Sequence, residues 1–259
     1  MSDKFVLYSV ADGVATIAIN RPDRRNALNG QVIANLIDAF GEAEKSIEVK
    51  TVMITGAGDK AFSAGGDLAP SGGGGFKGMH DDRGLYADLL LQLSRLKKPL
   101  VGRINGHALG GGLGLAVSCD IAIAAENALL GTPEVKVGLF PMMILAVLCR
   151  NIPRKKALEM FLTGQRLPAA EAAQIGMITR AVAADKLDEE VAAVTKQLCA
   201  LSPATLALGR RAVYASQDMP FDAQLNYLHS MLSVNTLLED VAEGVSAFFE
   251  KRDPNFKGK

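Results

Sequence analysis

Apolar and polar positions alternate with a strand-like period at the start of the chain and with a helix-like period soon after. Residues 4–9 and 14–20 read as two strands, and Asp12-Gly13 between them is a hairpin signal. Asn20-Arg21-Pro22-Asp23 ends the second strand. From Gly30 onward Ile33, Leu36, Ile37, Phe40 and Ala43 fall on one helical face. Val49 to Thr55 reads as a buried strand closed by Gly56-Ala57-Gly58. Pro70 to His80, rich in glycine and small residues, reads as a mobile loop. A helix from Asp82 to Leu96 then sets Leu85, Leu89, Leu93 and Leu96 on one side, and Lys97-Lys98-Pro99 stops it. Leu100 to Ile104 and Asp120 to Ala124 are further short strands.

Strand, helix and strand follow one another at least twice before residue 150, which predicts an α/β core. Beyond 154 the pattern is mostly helical. Pro168 starts a short helix capped by Gly176, and longer amphipathic helices are expected at about 185–200, 203–216, 220–236 and 238–251. Their apolar share is too high for the solvated faces of a monomer, so subunit contacts are expected. The 259 residues, 49% hydrophobic and 22% charged, suffice for one substantial core.

Twenty-eight basic residues balance 28 acidic ones, which argues against a nucleic-acid partner. Tryptophan is absent, so a base-stacking platform is not expected. Cys119, Cys149 and Cys199 are widely spaced in apolar contexts and read as buried and reduced. His80, His107 and His229 form no metal-ligand cluster, so no metal is expected. The start, Met1-Ser2-Asp3-Lys4, lacks a basic-then-apolar signal. The longest uncharged apolar run, Gly138 to Cys149, is too short for a bilayer. A cytoplasmic enzyme without a membrane partner is the expectation.

Candidate chemistry concentrates in two glycine segments about forty residues apart. One is Ala61-Phe62-Ser63-Ala64-Gly65-Gly66-Asp67-Leu68. The other is Asn105-Gly106-His107-Ala108-Leu109-Gly110-Gly111-Gly112-Leu113 and opens an apolar helical run. Backbone N–H groups at such a helix start are unpaired and partly positive. Two loops of this kind meeting in space place two donors around one oxygen, an oxyanion hole suited to a thioester carbonyl becoming an enolate. Glu134, between apolar segments, reads either as an acid–base group tuned by burial or as a surface residue paired with Lys136. Asp67 reads mainly as a group that holds loop backbone, and His107 as a packed residue beside a glycine turn. Gly73 to Gly78 matches a dinucleotide-loop pattern, yet no strand leads directly into it. Ser63 falls short of a nucleophile elbow because residue 61 is alanine where glycine is required.

Together these segments resemble the crotonase family, the enoyl-CoA hydratase/isomerase superfamily. The likeness runs through Asn20-Arg21-Pro22, Asn26-Ala27-Leu28, both glycine segments, Cys119-Asp120-Ile121, Pro133-Glu134 and Phe248-Phe249-Glu250-Lys251-Arg252. It implies an α/β fold, a spiral of repeated strand-strand-helix turns over 1–195, with a helical trimerisation region over 196–259. It also implies homotrimers or homohexamers acting on an acyl group carried by coenzyme A, with no further cofactor. The oxyanion donors fall on the N–H groups of Gly66 and Gly111, and the acid–base carboxylate on Glu134. Arg24, Arg25, Ala27 and Ala64 match the lining of the coenzyme A channel, and Lys251 a lysine that reaches its phosphate. Asp67, Leu68 and Met142 are further candidates for substrate contact.

Two positions depart from the family pattern. Hydratases of the family carry a second glutamate two residues after the glycine triplet, and here that residue is Gly114. After Pro141 come Met142-Met143-Ile144-Leu145, where small residues are expected. Both changes make a drier pocket. They favour one-carboxylate double-bond isomerisation over hydration. Hydration with water held by another group, decarboxylation, thioester hydrolysis and a non-catalytic acyl-CoA-binding role are the other readings. Acyl group and pathway stay open, since fatty acid, amino acid, aromatic and terpenoid degradation all use this scaffold.

Overall fold

A computed structural model describes the backbone of residues 4–67 and 75–259 and the side chains of these residues other than 75–79, 81 and 82. The chain opens with the hairpin β1 (Val6–Ala11) and β2 (Val14–Ile19), joined at Asp12 and Gly13, both with positive φ. Helix α1 (Gly30–Lys45) follows, its first turn capped by the Asn29 side chain, which accepts from the Val32 N–H at 2.9 Å. Val32, Ile33, Leu36, Ala39, Phe40 and Ala43 of α1 are buried at helical spacing.

Three strand pairs then build the spiral: β3 (Thr51–Gly56) with β4 (Ala61–Ser63), β5 (Leu100–Ile104) with β6 (His107–Leu109), and β7 (Ile121–Ala125) with β8 (Leu129–Gly131). Each pair gives its first strand to one sheet and its second to another. Helix α2 (Gly75–Arg95) links the first pair to the second, and α3 (Gly111–Val117) links the second to the third. Helices α4 (Met142–Asn151) and α5 (Arg154–Thr163) lead to β9 (Arg166–Pro168), α6 (Ala169–Gln174) and β10 (Arg180–Val182). The larger sheet has the order β1-β2-β3-β5-β7-β10 and the smaller β4-β6-β8-β9. Only β1/β2 and β8/β9 pair antiparallel among the described strands. Strand β3 is buried at all but one position, as expected of a parallel strand covered on both faces. The expected α/β spiral is therefore the observed fold.

The expected tail helices are α7 (Leu187–Cys199), α8 (Pro203–Ser216), α9 (Phe221–Asn235) and α10 (Glu239–Glu250). Helix α8 is tied to the spiral through Arg210. Its Nε donates to Asp120 at 2.7 Å, Nη2 to the Leu93 carbonyl at 2.7 Å and Nη1 to the Leu96 carbonyl. Asp120 also accepts from the Leu100 N–H at 2.8 Å and the Tyr214 hydroxyl at 2.9 Å. The guanidinium lies 4.6 Å over the Tyr214 ring.

Three expectations need correction. Residues 75–80 are helical, so α2 starts seven residues before Asp82 and the expected loop is shorter; residues 70–74 lie outside the described residues. Cys149 is exposed on the outer side of α4, and Cys119 and Cys199 are only partly buried. Met142 and Met143 face outward while Ile144 and Leu148 of α4 turn inward, because only one stripe of a short helix meets the core.

Replacing Arg210 with methionine removes the donor to three acceptors, the Asp120 carboxylate and the Leu93 and Leu96 carbonyls. It is expected to lower the unfolding free energy by about 3 kcal/mol in urea titrations, and an unchanged midpoint would contradict the tie.

Candidate active site

The two glycine segments meet in space because their glycines lack Cβ atoms. Gly65, at φ +91°, sits so close to the second segment that a Cβ there would stand 2.7 Å from the Leu109 carbonyl oxygen and 3.3 Å from the Gly111 nitrogen. A Cβ on Gly112 would be 2.6 Å from the Ser63 Cβ, and one on Gly106 would be 2.6 Å from the Lys60 carbonyl. No side chain fits any of these contacts.

Polar side chains hold the loops around this crossing. Asn26, fully buried at φ +56°, donates to the carbonyls of Ala57 (3.0 Å) and Ala61 (2.8 Å) and accepts from the Arg21 N–H at 2.9 Å. Asn105 accepts from the Gly56 N–H at 3.1 Å and donates to the Gly58 carbonyl at 2.7 Å. Ser63 donates to the Asn26 carbonyl at 2.8 Å and is fully buried, which gives it a structural role rather than a nucleophile's. His107 accepts the Leu129 N–H through Nδ1 at 3.1 Å, tying β6 to β8. Asp67 pairs with Arg21 at 3.0 Å, and the same Arg21 nitrogen donates to the Ala27 carbonyl at 2.8 Å.

Two glycine N–H groups lie beside the crossing. Gly66 bridges Leu28 in parallel, and that bridge uses the Gly65 carbonyl and the Asp67 N–H, each at 2.8 Å. The N–H of Gly66 itself therefore faces away from Leu28. Gly66 is exposed, and a Cβ on it would meet no described atom within 4 Å. Gly111 is the first residue of α3, so its N–H has no intrahelical acceptor.

Glu134 enters from a 3₁₀ turn, Pro133–Val137, between β8 and α4. Its carboxylate lies against Gly110, where a Cβ would be 2.8 Å from Oε1. Gly110 has φ +52° and ψ −126°, a conformation open to glycine, so the chain turns there and leaves room for the carboxylate. Oε2 of Glu134 is buried with no hydrogen-bond partner among the described residues. Burial raises the Glu134 pKa above the ordinary glutamate value, and a hydrogen bond from its own backbone N–H offsets part of that. The alternative partner Lys136 is exposed and forms no ion pair with it.

Sequence reasoning missed Tyr86. On α2 it sits one position after Leu85 and three before Leu89, a core spacing like any other. The structure buries it beside Gly111 and Gly114, with its hydroxyl donating to the Gly111 carbonyl at 2.5 Å. Ile144 reaches the same place from α4, 2.5 Å from where a Gly114 Cβ would lie.

The remaining candidates are spread around this centre. Ala27 is buried and Ala64 half-buried beside the first loop, while Arg24 and Arg25 are exposed on the preceding turn. Met142 is 67% exposed. Lys251 is exposed at the end of α10, with φ +56°. Leu68 lies outside the described residues.

A two-sheet α/β spiral with glycine loops crossing beside a half-buried carboxylate is the frame in which the comparisons with known proteins fall. The enoyl-CoA hydratase/isomerase family profile matches residues 9–259. A Dictyostelium discoideum protein named "Probable enoyl-CoA hydratase, mitochondrial" is 33% identical over 250 residues, 95% of this chain and 88% of that one. The crystal structure of an enoyl-CoA hydratase from Mycobacterium smegmatis matches with TM-score 0.93 at 31% identity, over 97% of this chain and 98% of that one. Human enoyl-coenzyme A hydratase domain-containing protein 3 matches with TM-score 0.93 at 28% identity, over 97% and 100%. The chain belongs to the enoyl-CoA hydratase/isomerase family and is an enzyme of that family.

Alanine at Gly110 forces a disfavoured φ and pushes on Glu134, so a stability loss of about 2 kcal/mol is expected. Alanine at Gly66 enters open space and is expected to stay within about 0.5 kcal/mol of the parent. Thermal unfolding of the two variants side by side checks the contrast.

Proposed function

We propose that this enzyme moves a double bond in an enoyl-CoA thioester, with Glu134 as the single acid–base group. The thioester oxygen would lie between the N–H groups of Gly66 and Gly111, which stabilise the enolate formed when a proton leaves the α carbon. Glu134 takes that proton and returns it at the γ carbon. The observation that carries this reading is the Glu134 carboxylate packed on Gly110, the residue before α3, with one buried oxygen unpartnered among the described residues, while position 114 holds a glycine. Isomerisation adds no water to the substrate, and one carboxylate suffices because the group that accepts the α proton, once it has exchanged with solvent, is the group that delivers a proton at the γ carbon.

Hydration is the second reading. The printed names of the Dictyostelium and Mycobacterium relatives favour it. It requires another group to hold the water that Glu134 would activate. Decarboxylation requires a polar seat for the leaving carboxylate, for which the described residues offer no candidate.

Arg24, Arg25, Ala27 and Ala64 are proposed to line the coenzyme A path, and Lys251 to reach its phosphate from a neighbouring protomer. The exposed Phe248 (78%) and Phe249 (77%) support residues 196–259 as the surface of a trimer or a pair of trimers.

Glu134→Gln is expected to abolish turnover of 3-enoyl-CoA while acyl-CoA binding, read by calorimetry, persists. Wild-type-like rates in that variant would remove Glu134 from the mechanism. As a base Glu134 must be ionised, so kcat/KM should rise with pH through a pKa above that of an ordinary glutamate. The stability sign is opposite. A carboxyl whose pKa is raised by folding favours the folded state below its unfolded pKa, and that contribution is lost as pH rises through the folded value. Comparing parent and Glu134→Gln unfolding from pH 4 to 8 checks it: the difference should shift in favour of the variant as pH rises.

A further inference from the structure

Three elements converge on one residue that carries no side chain. Gly114 of α3 is buried, and a Cβ built on it would overlap the Tyr86 hydroxyl from α2 and stand 2.5 Å from Ile144 Cγ2 from α4. The ring of Tyr86 also packs on Gly111, where a Cβ would be 3.5 Å from the Tyr86 Cζ. One tyrosine thus touches both the glycine that offers an oxyanion donor and the glycine where other members of the family carry a carboxylate.

The hydroxyl has one hydrogen, and it is committed to the Gly111 carbonyl at 2.5 Å. It therefore has no proton to offer a substrate. Burial, and after it the nearby charge of Glu134, holds the phenol neutral far above physiological pH, so it is no base either. What remains is geometry. The bond fixes the carbonyl of Gly111 at the opening turn of α3, and the oxygen fills volume that a water or a longer side chain would otherwise take.

We propose that Tyr86 is a positioning residue that stands where a second carboxylate would be: its hydroxyl holds the Gly111 peptide in register and seals the space over Gly114. This rests on the enolate reading above. It explains why a glycine at 114 goes together with a tyrosine at 86 and an isoleucine at 144. Any Cβ at 114 requires the tyrosine hydroxyl to leave, and when it leaves the Gly111 carbonyl loses a partner.

The test is a cycle of Tyr86→Phe, Gly114→Ala and the double variant in the full-length protein. Gly114→Ala alone is expected to lower Tm by about 5 °C, because overpacking a closed core is destabilising. In the Tyr86→Phe background the same change should cost measurably less, since the overlapping oxygen is gone and the Ile144 contact alone remains. Tyr86→Phe alone should reduce kcat on 3-enoyl-CoA about tenfold with KM within about twofold, the signature of a donor that polarises the carbonyl in the bound state and counts for most in the transition state. The carbonyl carbon of bound carbonyl-¹³C butyryl-CoA, which cannot isomerise, should move back toward its free chemical shift in that variant. Equal Tm penalties in the two backgrounds, or Tyr86→Phe with parental kcat and parental carbonyl shift, would overturn the proposal. If the parent turns over no enoyl-CoA, the isomerase reading fails, while the Tm cycle and the carbonyl shift still judge Tyr86.

Discussion

The crossing of two chain segments at backbone-to-backbone distance is the constraint on which the rest depends. Gly65, Gly106 and Gly112 each occupy a contact in which a single added carbon would overlap main chain or Ser63. Close approach brings the peptide of Gly111 beside Gly65, and in the proposed mechanism this lets two N–H groups from distant parts of the sequence face one thioester oxygen. The spiral supplies the remainder. Parallel pairing of β4 with β6 and of β6 with β8 fixes the heights of the loops relative to one another. The buried amides of Asn26 and Asn105 convert loop carbonyls and N–H groups into fixed points.

Chemistry at this crossing is set by what is left out as much as by what is present. Gly110 leaves room for the Glu134 carboxylate, and Gly114 leaves room for the Tyr86 hydroxyl. A carboxylate in half-buried surroundings with one oxygen unpartnered is a poor stabilising element and a good proton shuttle, because burial brings its pKa toward the working pH. In the proposed mechanism the same side chain opposes folding slightly and serves turnover, as at sites kept for function rather than stability.

Much of this was legible in the sequence. The glycine segments, Glu134 and the four tail helices follow from local patterns, since turn glycines, strand alternation and helical apolar faces are written in consecutive residues. Asp67 was readable as a loop holder, and the structure gives it Arg21 as partner. Tyr86 was not readable, because its meaning lies in a contact with residues 25 and 28 positions away, and on its own helix it reads as one more core position. The early start of α2 was hidden by glycines at 75 and 78, which are weak helix formers. Cys149 looked buried because its neighbours are apolar, yet a short helix against a core hides only one stripe.

The most direct measurement is an NMR time course of the purified protein with a 3-enoyl-CoA in deuterated water. The single-carboxylate reading predicts migration of the double bond to the 2,3 position, with deuterium entering at the γ carbon and no 3-hydroxyacyl-CoA. Accumulation of 3-hydroxyacyl-CoA from the 2-enoyl thioester, at rates matching or exceeding migration, would contradict it and would mean that hydration survives Gly114 because another group orients the water.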